Sequence, residues 1–226
     1  MKKQIGDRMK YNYEEAYKVR LPMRIPIVIR LDGKNFHTYT KKMKRPYDED
    51  FINNMVQLSQ WLCKEIQTAQ FTYVQSDEIS IFLHSYKKLD SEPWFNNEIQ
   101  KIVSVSAGMA SAYFTDINKR IAVFDSRVFI IPETELVNYF IWRQQDATRN
   151  SISMLAQSKF SHKQLLKKNT KEMQEMIFQK DGTNWNNLPT YLKRGIVSTK
   201  ESIDLNIPIF TQNRDYINKF LKIEED

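Results

Sequence analysis

The chain has 226 residues, 41% of them hydrophobic and 27% charged, a globular rather than disordered composition. That length suits one large domain, or one domain with a helical appendage, and no window approaches the ~18 uninterrupted apolar residues of a membrane span. The 34 Lys and Arg exceed the 27 Asp and Glu by seven, a modest positive balance that points to an anionic partner.

Residues 1–24 are basic and rich in tyrosine. The opening Met1-Lys2-Lys3-Gln4-Ile5-Gly6-Asp7 has no apolar stretch after its lysines, so no secretory signal and a cytoplasmic location are expected. From Ile25 to Asp32 the chain reads as a strand that places Arg30 and Asp32 on one face, and Gly33 breaks it. After a basic loop, Asp48 or Asp50 caps a helix whose apolar stripe is Phe51, Met55, Leu58, Leu62 and Ile66. Two short strands, Phe71 to Gln75 and Ile79 to Leu83, flank Ser76-Asp77-Glu78 and read as a hairpin. A helix is predicted from just after Pro93 to about Tyr113, with Ser104, Ala107, Gly108, Ser111 and Ala112 forming a small-residue side for close packing. A fourth strand, Ile121 to Ile131, ends at Pro132, which opens a further helix through Leu136, Phe140 and Trp142.

The first six elements match the split βαβ order of a ferredoxin-like α+β fold, an antiparallel sheet with helices on one face. Residues 1–158 are expected to hold this unit with its basic N-terminal segment. Residues 159–226 are expected to form a basic helical extension packed on it, becoming irregular around Asp181-Gly182-Thr183-Asn184.

Cys63 is the only cysteine and there are three histidines, which excludes an intramolecular disulfide and multi-thiolate metal sites. Any metal must be held by carboxylates, which points to a hard cation such as Mg²⁺. Only five glycines are present, and neither a dinucleotide fingerprint nor a Walker loop occurs. Asp32 closes the first strand and Asp77 sits in the hairpin turn; in a ferredoxin-like sheet those strands are neighbours, so the two acids can converge. Two carboxylates on adjacent strands suit two-metal phosphoryl transfer, with Glu78 as a third acid on the opposite side. Gly33-Lys34-Asn35-Phe36-His37 follows directly, and its backbone N–H groups can face a triphosphate. Basic clusters at Lys41-Lys42-Lys44-Arg45, at Lys159, Lys163, Lys167, Lys168 and Lys171, and at Lys193-Arg194 suit a nucleic-acid backbone. Trp142 and Trp185 read as packing residues.

Several of these segments resemble one family. Arg30-Leu31-Asp32-Gly33-Lys34-Asn35-Phe36-His37 is similar to the Arg-Ile-Asp-Gly-Arg-Asn-Phe-His signature of the histidine-tRNA guanylyltransferases, the reverse (3′-to-5′) polymerases. Arg45-Pro46-Tyr47-Asp48, Gln75-Ser76-Asp77-Glu78-Ile79-Ser80, Phe124-Asp125-Ser126-Arg127-Val128 and Trp142-Arg143-Gln144-Gln145-Asp146 resemble four further motifs of that family, in its order. The resemblance implies a polymerase-palm fold, a homotetramer, and nucleotidyl transfer to a tRNA 5′ end with ATP and GTP as substrates. It implies two Mg²⁺ held by Asp32, the Gly33 carbonyl and Asp77, with Asp32, Asp77 and Glu78 as the catalytic acids. It places Gly33, Lys34, Asn35, Phe36, His37 and Ser76 around the nucleotide, with Lys101 near the phosphates and Arg45 contacting a second nucleotide or the activated 5′ end. For the RNA, Lys159, Lys163, Lys167, Lys193 and Arg194 are the candidates.

After Asp146 the chain reads Ala147-Thr148-Arg149-Asn150-Ser151-Ile152-Ser153-Met154, where eukaryotic members have Cys-His-Ile-Asn-Asn-Leu-Tyr-Asn. That pattern resembles the bacterial and archaeal like-protein branch, which implies template-directed repair of 5′-truncated tRNA over non-templated guanosine addition. Two rivals stand beside it. One is a palm-fold nucleotide cyclase, though the chain lacks the Gly-Gly-Asp-Glu-Phe turn of one such group; the other is a non-catalytic tRNA-binding protein.

Overall fold

Apolar residues line both faces of the first strand, as a central position in a sheet requires. In the computed structural model, which describes residues 4–86 and 90–221, β1 (Ile27–Gly33) pairs antiparallel with a strand on each side. A short helix, α1 (Ile5–Met9), precedes it, and a single turn, α2 (Phe36–Tyr39), follows it. Next come α3 (Glu49–Glu65), β2 (Ala69–Gln75), β3 (Glu78–Leu83), α4 (Ile99–Asn118) and β4 (Phe124–Ile130). The strands lie in the order β4-β1-β3-β2, the antiparallel arrangement expected of the split βαβ unit.

Helices α3 and α4 cover one face of the sheet. The α3 stripe is buried as predicted, and Asp48 rather than Asp50 is its cap, accepting from the Phe51 amide at 2.9 Å. Helix α4 starts later than predicted. Between Pro93 and Ile99 lies a tight turn in which Phe95, Asn96 and Asn97 all have positive φ. Asn97 is held there because its side-chain amide donates to the Pro22 carbonyl at 3.0 Å while its own carbonyl accepts from the Leu21 amide. The packing stripe of α4 is also not the one predicted. Ile102, Ser106, Ala110 and Phe114 face the sheet, whereas Ser104, Gly108 and Ala112 are exposed. Ser106 seats the helix by a 2.7 Å hydroxyl pair with Ser126 of β4.

The opposite face is covered by α5 (Glu133–Gln157), a part of the architecture the split βαβ pattern leaves open. Leu136, Val137 and Phe140 pack against Val28, Phe71 and Phe82. Beyond α5 the expected continuous basic helix is broken into α6 (His162–Leu165) and α7 (Thr170–Asp181). Each start carries a capping box, Ser161 with Gln164 and Asn169 with Glu172, whose reciprocal hydrogen bonds open a new helix each time. After α8 (Thr190–Arg194), strands β5 (Ile196–Ser198) and β6 (Ile203–Asp204) extend the sheet beyond β2 to six strands, and α9 (Asp215–Asn218) follows. Gly195 permits that junction. Its φ is +83°, and a Cβ there would lie 2.6 Å from the Val74 carbonyl oxygen. Among the described residues no helix is long and apolar enough to cross a membrane.

Candidate active site

Residues directly opposite one another in a sheet point to the same face, so register decides which acids meet. Asp32 lies opposite Glu78 on β3 and opposite Asp125 on β4. Asp77 occupies the two-residue turn between β2 and β3, where Ser76 takes a φ of +49°, as the first residue of such hairpin turns commonly does. The Gly33 amide donates to the Asp77 carbonyl at 3.1 Å, which ties the end of β1 to that turn. Burial pushes the Asp77 carboxyl above the usual carboxylate range, and the negative charge of Asp32 pushes it the same way. The two aspartates expected to converge therefore do so.

Glu78, expected among the catalytic acids, is placed differently. Both its oxygens are taken by Arg143 of α5, at 2.8 Å from Nε and 2.7 Å from Nη2, and Arg143 also reaches Asp146 at 2.9 Å. Burial pushes the Glu78 carboxyl up while Arg143 and Arg30 pull it back. A carboxylate fully engaged by a bidentate arginine fixes its neighbours instead of meeting a substrate. Arg143 was visible in the Trp-Arg-Gln motif, but only the fold reveals its partner.

The loop after β1 borders a cavity of about 520 Å³, together with Arg45, Ser76 and Asp77. Gly33, Asn35 and His37 reach it, so the predicted nucleotide residues largely come together. Asn35 takes a left-handed conformation (φ +58°), and its carbonyl accepts from the Thr38 amide at 2.9 Å, turning the loop tightly. Phe36 is buried, its ring stacked on Tyr39 at 4.9 Å and near Phe124 at 5.0 Å. Its ring is a core anchor that holds the loop from beneath. The anchor explains Gly33, where a Cβ would sit 2.4 Å from the Phe36 ring. Gly33→Ala should therefore cost about 1–3 kcal/mol of stability by overpacking; a denaturant melt unchanged from wild type would contradict that.

Lys34 lies outside the cavity lining and is exposed, its backbone amide donating to the Val123 carbonyl at 2.8 Å. His37 is exposed, with Nε2 3.0 Å from the Thr38 hydroxyl. Arg45 is presented by a loop pinned at Lys44, whose amide donates to Asp48 at 2.9 Å, and at Tyr47, whose hydroxyl meets Ser151.

Three expectations are corrected. Lys101 stands in the first turn of α4, where Ile102 shares a small pocket with Ile27 and Leu83. That pair marks the end of β1 and β3 remote from Asp32 and Glu78, about 17 Å away at ~3.4 Å per residue, so Lys101 does not reach the cavity within one chain. Lys193 is buried, its ammonium donating to the Asn186 carbonyl at 2.5 Å and its pKa lowered by burial and by Arg194; it is an internal tie, not an RNA contact. Lys159 is paired with Asp181. Lys163 and Lys167 remain exposed, while Arg194 is half-buried. Trp185 packs in the interior, whereas Trp142 is 47% exposed beneath the Arg143 guanidinium.

Among the described residues, no group of three or more acidic, imidazole or thiol side chains gathers as a metal cage. Two carboxylates beside an anion cavity still fit Mg²⁺, which is typically held by one or two carboxylates with substrate phosphates and water. The half-buried Asp32–Asp77 pair, in which the charge of Asp32 raises the Asp77 pKa, is a site that a dication would relieve.

A split βαβ sheet with paired aspartates, Asp77 bordering such a cavity and Asp32 adjoining it through Gly33, defines a palm-type nucleotidyltransferase. The family model for tRNAHis guanylyltransferase matches residues 6–132. A bacterial tRNA(His) guanylyltransferase-like protein solved in complex with ATP superposes with a TM-score of 0.93 at 45% identity, over 98% of this chain and 100% of that one. The same kind of bacterial protein in complex with GTP gives a TM-score of 0.85 at 43% identity, over 96% and 98%. The tRNA(His) guanylyltransferase of Schizosaccharomyces pombe is 28% identical over 87% of this chain and 82% of its own length. The chain belongs to the tRNAHis guanylyltransferase family, on its bacterial-like branch.

Proposed function

We propose that this chain is a Mg²⁺-dependent enzyme that adds nucleotides in the 3′-to-5′ direction to the 5′ end of tRNA, repairing truncated ends against a template. The observation that carries the reading is the convergence of Asp32 and Asp77 beside the cavity bordered by Gly33, His37 and Arg45. Asp32, Asp77 and the Gly33 carbonyl would hold the metal ions, which supply charge neutralisation and alignment of the attacking and leaving oxygens. The turn from Asn35 to His37 would cradle the triphosphate, the Gly33 and Lys34 amides being taken by the Asp77 and Val123 carbonyls, and Arg45 adds a fixed positive charge beside it. Glu78, clamped by Arg143, holds the strand ends in place. In the overall step the 3′-hydroxyl of the incoming nucleotide forms a bond to the 5′-terminal phosphorus. At a 5′-triphosphate end pyrophosphate departs; a 5′-monophosphate end first takes the adenylyl group of ATP with release of pyrophosphate, and AMP is then the group displaced. In either case the hydroxyl proton passes to solvent.

Repair is favoured over guanosine addition to histidine tRNA because Thr148, standing where eukaryotic relatives have histidine, turns inward to donate to the Lys193 carbonyl at 3.2 Å. The bacterial like-protein neighbours, solved with ATP and with GTP, support both purine triphosphates as substrates. A tetrameric, cytoplasmic enzyme completes the reading; support for assembly comes from the exposed Ile5, Tyr17 and Ile121. RNA contacts fall to Lys163, Lys167 and Arg194.

The test is extension of a 5′-truncated tRNA by the purified protein with Mg²⁺ and nucleoside triphosphates, varying the template base. Matched additions that stop with chelator are expected. Failure on both triphosphate and monophosphate ends would overturn the proposal, and cyclic nucleotide made without RNA would favour the cyclase.

A further inference from the structure

Arg45 reaches the triphosphate cavity from a loop, and its side chain is exposed. A charge on a loop meets a phosphate reproducibly only if the loop is held in place. Lys44, Arg45, Pro46 and Asp48 form one wall of the cavity, and Met154 and Gln157 of α5 also border it. The width of the cavity thus depends on how far the loop stands from α5.

Tyr47 spans that distance. Pro46, with its fixed φ, is the one residue between Arg45 and this anchor. The Tyr47 hydroxyl crosses to α5, 104 residues on in sequence, where it donates to the Ser151 carbonyl at 3.0 Å and lies 2.9 Å from Ser151 Oγ. Ser151 is 3% exposed and stands about one turn before Met154. Its Oγ accepts from the Trp185 indole N–H at 3.0 Å. A phenol has one proton, so with that proton on the carbonyl the Ser151 hydroxyl donates to the Tyr47 oxygen. Every donor of the trio then has an acceptor. Burial pushes the Tyr47 pKa up, against the pull of Ser151, and the hydroxyl keeps the proton it donates. A second tie, from the Tyr191 hydroxyl to Glu49 at 3.1 Å, holds the start of α3 to α8.

We propose that Tyr47 is a positioning residue for nucleotidyl transfer: its hydroxyl, fastened to Ser151, fixes the Arg45 loop against α5 and so holds the Arg45 guanidinium at the substrate phosphates. The inference rests on the nucleotidyltransferase reading, in which Arg45 meets phosphate, and adds to it the group that keeps Arg45 in place. Trp185 takes part through Ser151, whose side chain it orients, without touching substrate. The phosphates belong either to the free nucleotide or to the RNA 5′ end; both present the same chemistry to a guanidinium.

Tyr47→Phe removes one oxygen and keeps the ring. Combined with Arg45→Ala it closes a double-mutant cycle. The cycle is read by calorimetric titration with inorganic tripolyphosphate and Mg²⁺, and by the KM for a truncated tRNA with a 5′-triphosphate. Arg45→Ala is expected to weaken at least one of these by about ten-fold or more, and Tyr47→Phe the same one by about five-fold. The double variant should be no weaker than Arg45→Ala alone, because a hydroxyl that acts by placing a guanidinium has nothing left to place. Weaker tripolyphosphate binding puts Arg45 on the free nucleotide, and a raised KM alone puts it on the RNA end; either supports the proposal. Penalties that multiply in the double variant overturn it, since a hydroxyl serving only the fold acts independently of Arg45. Tyr47→Phe should melt within about 5 °C of wild type, the Ser151 oxygen keeping its Trp185 donor. A sensitive Arg45 beside an insensitive Tyr47 removes only the tie. Arg45→Ala without effect in either assay removes the role of Arg45 and the proposal with it. Wild-type protein that binds no tripolyphosphate and extends no RNA removes the nucleotidyltransferase reading beneath both.

Discussion

Asp77→Asn should lower nucleotide addition by at least about 10³-fold, roughly 4 kcal/mol of transition-state stabilisation, while the protein melts no lower than wild type. The two halves of that expectation have one cause. Asp77 is desolvated and sits close enough to Asp32 to feel its charge, and its carboxylate accepts from its own backbone amide and from the Ser76 hydroxyl, at 3.1 Å. Asparagine keeps its size and its turn-forming habit while removing the charge, so the ligand-free fold loses a repulsion and no ion pair. A dication loses one of its two carboxylates. The experiment is a pair of melts, with chelator and with Mg²⁺ plus triphosphate, beside a single-turnover extension assay. Wild type should gain about 2.7 kcal/mol at a ligand concentration of 100 Kd, and the variant far less. Activity within ten-fold of wild type would show that Asp77 does not hold the metal.

The pieces of this site differ in how far they could be seen from the amino-acid order. Asp32 and Asp77 were legible because strand alternation and the split βαβ order together bring β1 beside the 75–78 turn, and β1 does pair with β3 there. The Gly33 to His37 loop was legible as a glycine followed by polar residues. The anchoring of Phe36 beneath it was not, because burial of that ring depends on Phe114 and Phe124, which are distant in sequence. Lys101 failed for a related reason. An alignment position says nothing about which end of a 20-residue helix faces the site, and here the N-terminus of α4 lies at the end of β1 and β3 remote from Asp32. The breaks that divide the basic segment were written in the sequence as Ser161-x-x-Gln164 and Asn169-x-x-Glu172, yet lysine spacing suggested one helix. Strands β5 and β6, three and two residues long, are too short to show alternation, and the pairing of β5 with β2 and of β6 with β5 is decided by tertiary contact.

Glu78 and Arg143 supply the largest structural effect. Arg143→Met alone should destabilise the protein by about 3–5 kcal/mol, because it strips a buried carboxylate of the cation that hydrogen-bonds both its oxygens. Both side chains are almost wholly enclosed, and Arg30 is the other cation close enough to offset the Glu78 charge. Glu78→Gln alone should cost less, since the guanidinium keeps Asp146 at 2.9 Å. The double variant, Glu78→Gln with Arg143→Met, should recover most of the loss of Arg143→Met, for replacing both members of a buried pair is often close to neutral. A double-mutant cycle by denaturant unfolding measures this directly, and additive penalties would mean that the pair contributes no coupling. Catalysis should not recover with stability. Glu78 lies opposite Asp32 and next to Asp77, so the strand ends depend on its being held, and an amide released from Arg143 no longer fixes them. The refolded double variant should therefore bind triphosphate weakly and extend RNA slowly at normal thermal stability. Full activity in that variant would reduce the buried pair to a packing element.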